Sequence, residues 1–240
     1  MKFLHRTTLA LMLTAVGCLS SAQAGISLVG TRVVYPAGER EVTVRMNNMG
    51  DAPRMVQAWI DDGDSKASAE AAKAPFLLTP PLSRVEPGKG QTLRIMFTGG
   101  DVPQDRESVY WLNVLEIPPK VTDTRNMLQF AVRTRVKIFY RPEGLAGDAA
   151  SAIQKVSWRL IRKDGGMALE CTNATPYNVS IAGVGFKGTS LADTMGRGGL
   201  CPAMGRESFP VEGGTDSGRL AYRAIDDYGA FVDGEAAYTR

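Results

Sequence analysis

The sequence predicts an all-β protein, and three observations carry the prediction. Short runs rich in Val, Ile, Tyr, Phe and Trp recur along its 240 residues, separated by Gly, Pro, Asn and Asp turn chemistry. Helical composition is confined to 65–73 (SKASAEAAK), which is flanked by Asp/Gly and Pro and reads as a surface excursion or one short helix. The third observation is the segment 127–142, MLQFAVRTRVKIFYRP. Read with period two, Leu128, Phe130, Val132, Thr134, Val136, Ile138 and Tyr140 share one side, and Gln129, Arg133, Arg135, Lys137 and Arg141 share the other.

The chain opens on a leader rather than on the fold. Lys2 and Arg6 form a basic head, 9–19 an apolar stretch, and Ala22-Gln23-Ala24 a small-x-small cleavage site before Gly25, so 1–24 reads as a signal peptide. The apolar stretch is too short to span a bilayer, and no later run approaches the ~20 residues that a transmembrane helix needs. The rival reading, a lipoprotein with Cys18 acylated, is weakened by Ala15 three residues before that Cys.

From Gly25 onward, β-type runs are expected at 26–35, 42–47, 55–60, 93–97 and 109–117, followed by the long strand. Pro36-Ala37-Gly38, Asn47 to Asp51, Glu86-Pro87-Gly88 and Pro103-Gln104-Asp105 punctuate them. Seven or so strands at that spacing fit an immunoglobulin-like sandwich of roughly a hundred residues, here 25–142. The long strand, fed by Pro118-Pro119 and closed by Arg141-Pro142, reads as the last of that domain. Last strands of sandwiches often lie at a sheet edge, and a long apolar edge is an aggregation hazard unless a partner pairs with it. Strand addition to a partner chain is therefore the leading expectation.

Residues 143–148 (EGLAGD) have linker composition. A second β-rich domain follows over 149–240, with runs at 156–162, 167–172, 177–186, 207–211, 218–225 and 236–238. It is richer in Gly and has the smaller core. Its two cysteines, Cys171 and Cys201, lie outside any Cys-x-x-Cys spacing; in an oxidising compartment a lone pair is most simply a disulfide, with two buried thiols as the alternative.

Composition removes several function classes. Without the leader the chain holds 26 basic and 25 acidic residues, since Lys2 and Arg6 go, so there is no charge-driven case for nucleic acid. His5, the only histidine, goes with the leader. No Ser-His-Asp or Cys-His nucleophile system and no histidine-ligated metal can then be built. No metal, no cofactor and no enzyme is expected, although a carboxylate-only glycosidase is not excluded by counting.

Eight segments, in order, resemble one family: Thr31 to Pro36 (TRVVYP), Gln57 to Ile60 (QAWI), Thr79 to Gly88 (TPPLSRVEPG), Pro103 to Ser108 (PQDRES), Glu116 to Pro119 (EIPP), Lys137 to Pro142 (KIFYRP), Asn173 to Tyr177 (NATPY) and Asp227 to Gly229 (DYG). Each is weak alone. Together the chain is similar, over essentially its whole mature length, to the periplasmic chaperones of the chaperone-usher pilus pathway. The resemblance implies two immunoglobulin-like domains set in an L around a cleft, and a non-enzymatic periplasmic protein whose partners are fimbrial subunits and an outer-membrane usher. It also implies that Leu128, Phe130 and Val132 enter a subunit groove as a donated strand. Arg32 and Lys137 would hold the subunit's C-terminal carboxylate, and Glu107, Arg141 and Asp227 would form interdomain ion pairs. About eight residues separate Pro119 from Leu128, which resembles the short-loop class. The cysteines match no family motif. A self-dimer capping the edge strand is a further expectation, and the rival function is a secreted immunoglobulin-like adhesin that polymerises through its edge.

Overall fold

The computed structural model describes residues 25–117, 130–188, 190 and 198–240. The expected leader, Pro118, Pro119, Leu128 and Gln129 lie outside these residues. Among the described residues, sixteen strands and one short helix make up two β-domains.

The first domain packs two sheets face to face. One has the order β1 (Ile26–Leu28), β3 (Val42–Asn48), β7 (Gly90–Phe97), β5 (Phe76–Thr79). The other runs β2 (Arg32–Pro36), β9 (Val132–Arg141), β8 (Ser108–Ile117), β4 (Arg54–Asp61), β6 (Leu82–Val85). Alternation sends Val33, Tyr35, Val136, Ile138, Tyr140, Leu112, Val114, Val56 and Ala58 inward from the second sheet against Val44, Met46, Leu93 and Ile95 of the first. The excursion at 65–73 forms turns and no helix. β5 and β6 were not anticipated, because four residues either side of Pro80-Pro81 leave too little pattern.

The run expected at 26–35 is two strands, not one. Gly30 takes a positive φ of 98°, and the chain there leaves β3, with which β1 pairs, and joins β9, with which β2 pairs in parallel. This crossing decides the shape of the domain's edge. The expectation that one whole margin of the long strand is unpaired needs correction, because β2 covers Lys137 to Arg141. Along Val132 to Val136, β8 is on one side and, among the described residues, no strand is on the other. The margin is sealed at the cleft end and open at the far end. The inward row grades accordingly, from Phe130 (72% exposed) and Val132 (47%) to the fully buried Ile138.

The second domain is a single sheet ordered β13 (Gly199–Cys201), β12 (Val179–Phe186), β15 (Ser217–Ile225), β16 (Phe231–Thr239), β10 (Ser157–Lys163), β11 (Gly166–Asn173), β14 (Gly205–Val211). It curls over its own core of Trp158, Leu160, Leu169, Val179, Phe209, Leu220 and Tyr222. The Cys171–Cys201 disulfide forms, and joins β11 near one end of the sheet to β13 at the other. A loop of 30 residues closed in this way is worth about 3–4 kcal/mol on the chain-entropy argument. Before the sheet comes α1 (Ala149–Gln154), a turn and a half just after the expected linker, which corrects the expectation that helical composition is confined to 65–73. Asp148 caps it by accepting the Ser151 amide at 2.7 Å.

Candidate functional site

The site lies where the two domains meet. A cleft of about 290 Å³ is lined by Arg32, Phe139 and Arg141 from the first domain and by Ile153, Tyr177 and the turn Asp226-Asp227-Tyr228 from the second. The turn is shaped by Asp226, whose Oδ1 accepts the amides of Tyr228 (3.0 Å) and Ala230 (2.8 Å). At Gly229 (φ 88°) a β-carbon would stand 2.5 Å from Thr31 Oγ1, so only glycine lets this turn close on β2.

Arg141, the last residue of β9, is a clamp with every charge answered. Its Nε donates to Glu107 Oε1 at 2.6 Å and its Nη2 lies 2.9 Å from Asp227 Oδ2, while the guanidinium lies over Tyr177. Glu107 in turn accepts the Asn178 amide at 2.8 Å, and the Glu107 amide donates to Pro176 O at 2.9 Å. Burial pushes the Glu107 carboxyl up against the opposing pull of Asn178 and Arg141. Burial also lowers the guanidinium's hold on its proton, but Glu107 and Asp227 outweigh it and keep Arg141 firmly charged. The family resemblance implied that Glu107, Arg141 and Asp227 meet, and the structure brings them together. It missed Asn178, which also accepts the Ala203 amide through Oδ1 at 3.0 Å and so ties the junction to the segment just after Cys201. Its position one residue after the NATPY motif was the only signal.

Arg32 and Lys137 are brought together as well, as register partners on parallel β2 and β9. They form a different kind of site. Arg32 Nη1 donates to Ile225 O across the cleft at 3.0 Å, but its buried Nε has no hydrogen-bond partner among the described residues. No described carboxylate forms a salt bridge with Lys137, whose ammonium instead lies 5.3 Å from the centre of the Trp111 ring. Burial lowers the Lys137 pKa, and the neighbouring Arg32 charge lowers it further. Arg32 is lowered too, by burial, against a partial pull from Asp227 and Asp226. Two half-buried cations side by side, one with a donor that has no hydrogen-bond partner among the described residues, have the chemistry to hold an anion.

The other two arginines of the row, Arg133 and Arg135, are partnered from within the domain. Arg135 bonds Asp61, whose side chain is out of solvent, and Arg133 donates to Asn113 Oδ1 at 2.6 Å and to Ser65 O. Arg133 stacks over Trp59 and Arg135 over Trp111. Burial works against the Asp61 charge, but Arg135, Asn113 and the Gly63 amide together hold its carboxyl below the usual range. Asp61 and Asn113 gave no sign in the sequence, because alternation marks them only as outward-facing. Of the expected donor row, Phe130 and Val132 are exposed and Leu128 lies outside the described residues.

Residues 25–146 match the family described as pili and flagellar-assembly chaperone, PapD N-terminal domain, and residues 151–236 match the pili assembly chaperone PapD, C-terminal domain. The chain belongs to the pilus assembly chaperones of the chaperone-usher pathway. Among the relatives of this pilus chaperone, the chaperone protein FimB/FhaD of Bordetella pertussis is 44% identical over 225 residues, covering 90% of this chain and 89% of that protein. The probable fimbrial chaperone YadV of Escherichia coli K12 is 37% identical, with 96% of each chain covered. The crystal structure of a YadV chaperone superposes with a TM-score of 0.72 at 34% identity over 89% of this chain and all of that one. The SafB chaperone of Salmonella enterica, solved in complex with the SafA pilin, gives 0.74 at 25% identity, over 92% of this chain and 99% of that one. The two-domain β-architecture of the chaperone is thereby that of its family.

Proposed function

We propose that this chaperone acts in the periplasm, binding a fimbrial subunit by lending it the open segment of β9 and delivering it to an outer-membrane usher. One observation carries the reading: the Arg32–Lys137 pair, without a salt bridge among the described residues, sits where β2 begins and the β9 margin beyond it is open. The lane beside β9 is filled by β2 from Lys137 onward and vacated before it, because β1 has crossed to β3. A subunit strand laid in that lane ends at Arg32, and its terminal carboxylate meets both cations. It runs in the same direction as β9 and as β2 beyond it.

The carboxylate then serves as an end-stop. Five residues separate Lys137 from Val132, about 16 Å of extended chain, and a slip by one residue turns the apolar row to the wrong face. Phe130 and Val132, already exposed, contribute about 1.5–3 kcal/mol each on burial in a subunit groove, before ordering costs. Leu128 is proposed as the third side chain of that row. The Glu107–Arg141–Asp227 clamp keeps the second domain's turn at the cleft, and so keeps Arg32 bonded to Ile225. No step of this reading needs a cofactor or bond chemistry, and the role is not enzymatic.

Co-expression with the fimbrial subunits encoded beside it, followed by affinity capture, tests the reading. The wild type should recover a one-to-one complex, and Lys137→Ala should lose it while remaining folded. A stable homopolymer and no subunit complex would favour the self-assembling adhesin instead.

A further inference from the structure

At the end of the first domain away from the cleft, one carboxylate waits beside the start of the described chain. Glu116, near the end of β8, points inward between the sheets with its side chain only 10% exposed. Its Oε2 accepts the Ile26 amide at 2.9 Å. Its Oε1 lies 3.2 Å from Arg54 Nε, yet that nitrogen is not aligned for a hydrogen bond and is left without a partner. Gly25 is buried against the same carboxylate, so closely that a β-carbon on it would stand 2.4 Å from Oε1 and 2.8 Å from Oε2.

That proximity bounds where the Gly25 nitrogen is. Substituents on one tetrahedral carbon are about 2.5 Å apart, which puts the nitrogen within about 5 Å of Oε1. In a chain cleaved after Ala24 this nitrogen is an α-ammonium. We propose that Glu116 is the docking site for the processed N-terminus, so that removal of the leader creates a buried ammonium–carboxylate pair that pins β1 to β3. The inference goes beyond the chaperone reading and rests on the Ala24–Gly25 cleavage reading alone.

The neighbourhood suits a cation. Among the described contacts Glu116 provides the carboxylate nearest Gly25, and the charge it pairs with there is Arg54, whose side chain is 22% exposed although its Nε is buried. Glycine at position 25 is what permits the approach, since any side chain there would drive Glu116 away. The placement also matters for the open lane: Glu116 pairs in register with Val132, at the foot of the unsealed part of β9. Gly25 O accepts the Met49 amide at 2.7 Å and the Val29 amide donates to Arg45 O at 2.8 Å, so β1 is held on β3 at both ends. An ion pair at Gly25, just before its first residue, reinforces the crossing that leaves the lane free.

The test uses the exported protein, with its N-terminus defined by intact mass and N-terminal sequencing. Amide hydrogen exchange at Val29 and Met49 is compared among wild type, Glu116→Gln, which still accepts the Ile26 amide, and a chain carrying two extra residues before Gly25, which moves the ammonium away. Loss of a charge-assisted contact should speed exchange roughly tenfold in both variants, with amides of β8 and β9 unchanged. Acylation of the α-amine at neutral pH should be faster in Glu116→Gln than in wild type. A mature chain starting elsewhere overturns the cleavage reading and this one with it; a Gly25 start with unaltered exchange and acylation overturns the ion pair and leaves the cleavage reading standing.

Discussion

Lys137 and Arg141 lie four residues apart on one face of one strand, both half-buried, and they are treated in opposite ways. Arg141 is met by two carboxylates and a tyrosine ring, and Lys137 by a tryptophan face and a second cation. A folded chain minimising its own free energy would pair or remove a cation that burial penalises. The difference therefore separates two jobs on the same strand. Arg141 is satisfied from within, across the domain junction, whereas among the described residues neither Lys137 nor Arg32 forms a salt bridge, which is what the proposed binding of a subunit carboxylate would use.

The comparison can be broken at its strong end first. Glu107→Ala leaves Arg141 and the Asn178 amide without their main acceptor, and should cost about 3–5 kcal/mol in denaturant unfolding. An unchanged midpoint would mean that the clamp is ornamental. Next in size is subunit affinity. Lys137→Ala, or amidation of the subunit's C-terminus in wild type, should weaken binding by about 2–4 kcal/mol in calorimetric titration, and the two changes together should do little more than either alone. Additive losses would place the carboxylate elsewhere.

Swapping cation types sharpens the contrast. Arg141→Lys surrenders a two-pronged contact and should destabilise by about 1–2 kcal/mol, while Lys137→Met should leave stability unchanged or raise it by up to about 1 kcal/mol. The smallest effect is one of pH. The folded-state pKa of Lys137 is lowered below the ordinary lysine value of 10.5, by burial and then by Arg32. Between the lowered value and 10.5 the unfolded chain binds more protons than the folded one, so stability rises with pH across that window. Wild type should therefore gain on Lys137→Met as pH climbs from neutral toward 10.5, as read by thermal unfolding of the two proteins side by side. A gap that widens in favour of Lys137→Met would contradict the sign.

Much of this was legible beforehand, and the misses have physical causes. Alternation in 132–141 gave the inward and outward rows correctly, because period two is a local property of a strand. The family resemblance, not any local pattern, put Glu107, Arg141 and Asp227 together although they are far apart in the chain. The same alternation could not say which neighbour a strand has. It joined β1 to β2 across Gly30, and it left β9 wholly unpaired on one margin when β2 seals half of it. It also read Arg133 and Arg135 as part of one cationic face, although Asp61, some seventy residues away, answers Arg135, and Trp59 and Trp111 lie beneath the two guanidiniums.

By itself the sequence carried the β-character through composition and short-range periodicity, and it made a disulfide the simpler of two readings for Cys171 and Cys201. Only the tertiary structure decided which cations are spent and which are left over. Whether a charge is answered depends on partners that loops, sheet crossings and the second domain bring within about 3–4 Å, and no local pattern encodes that distance.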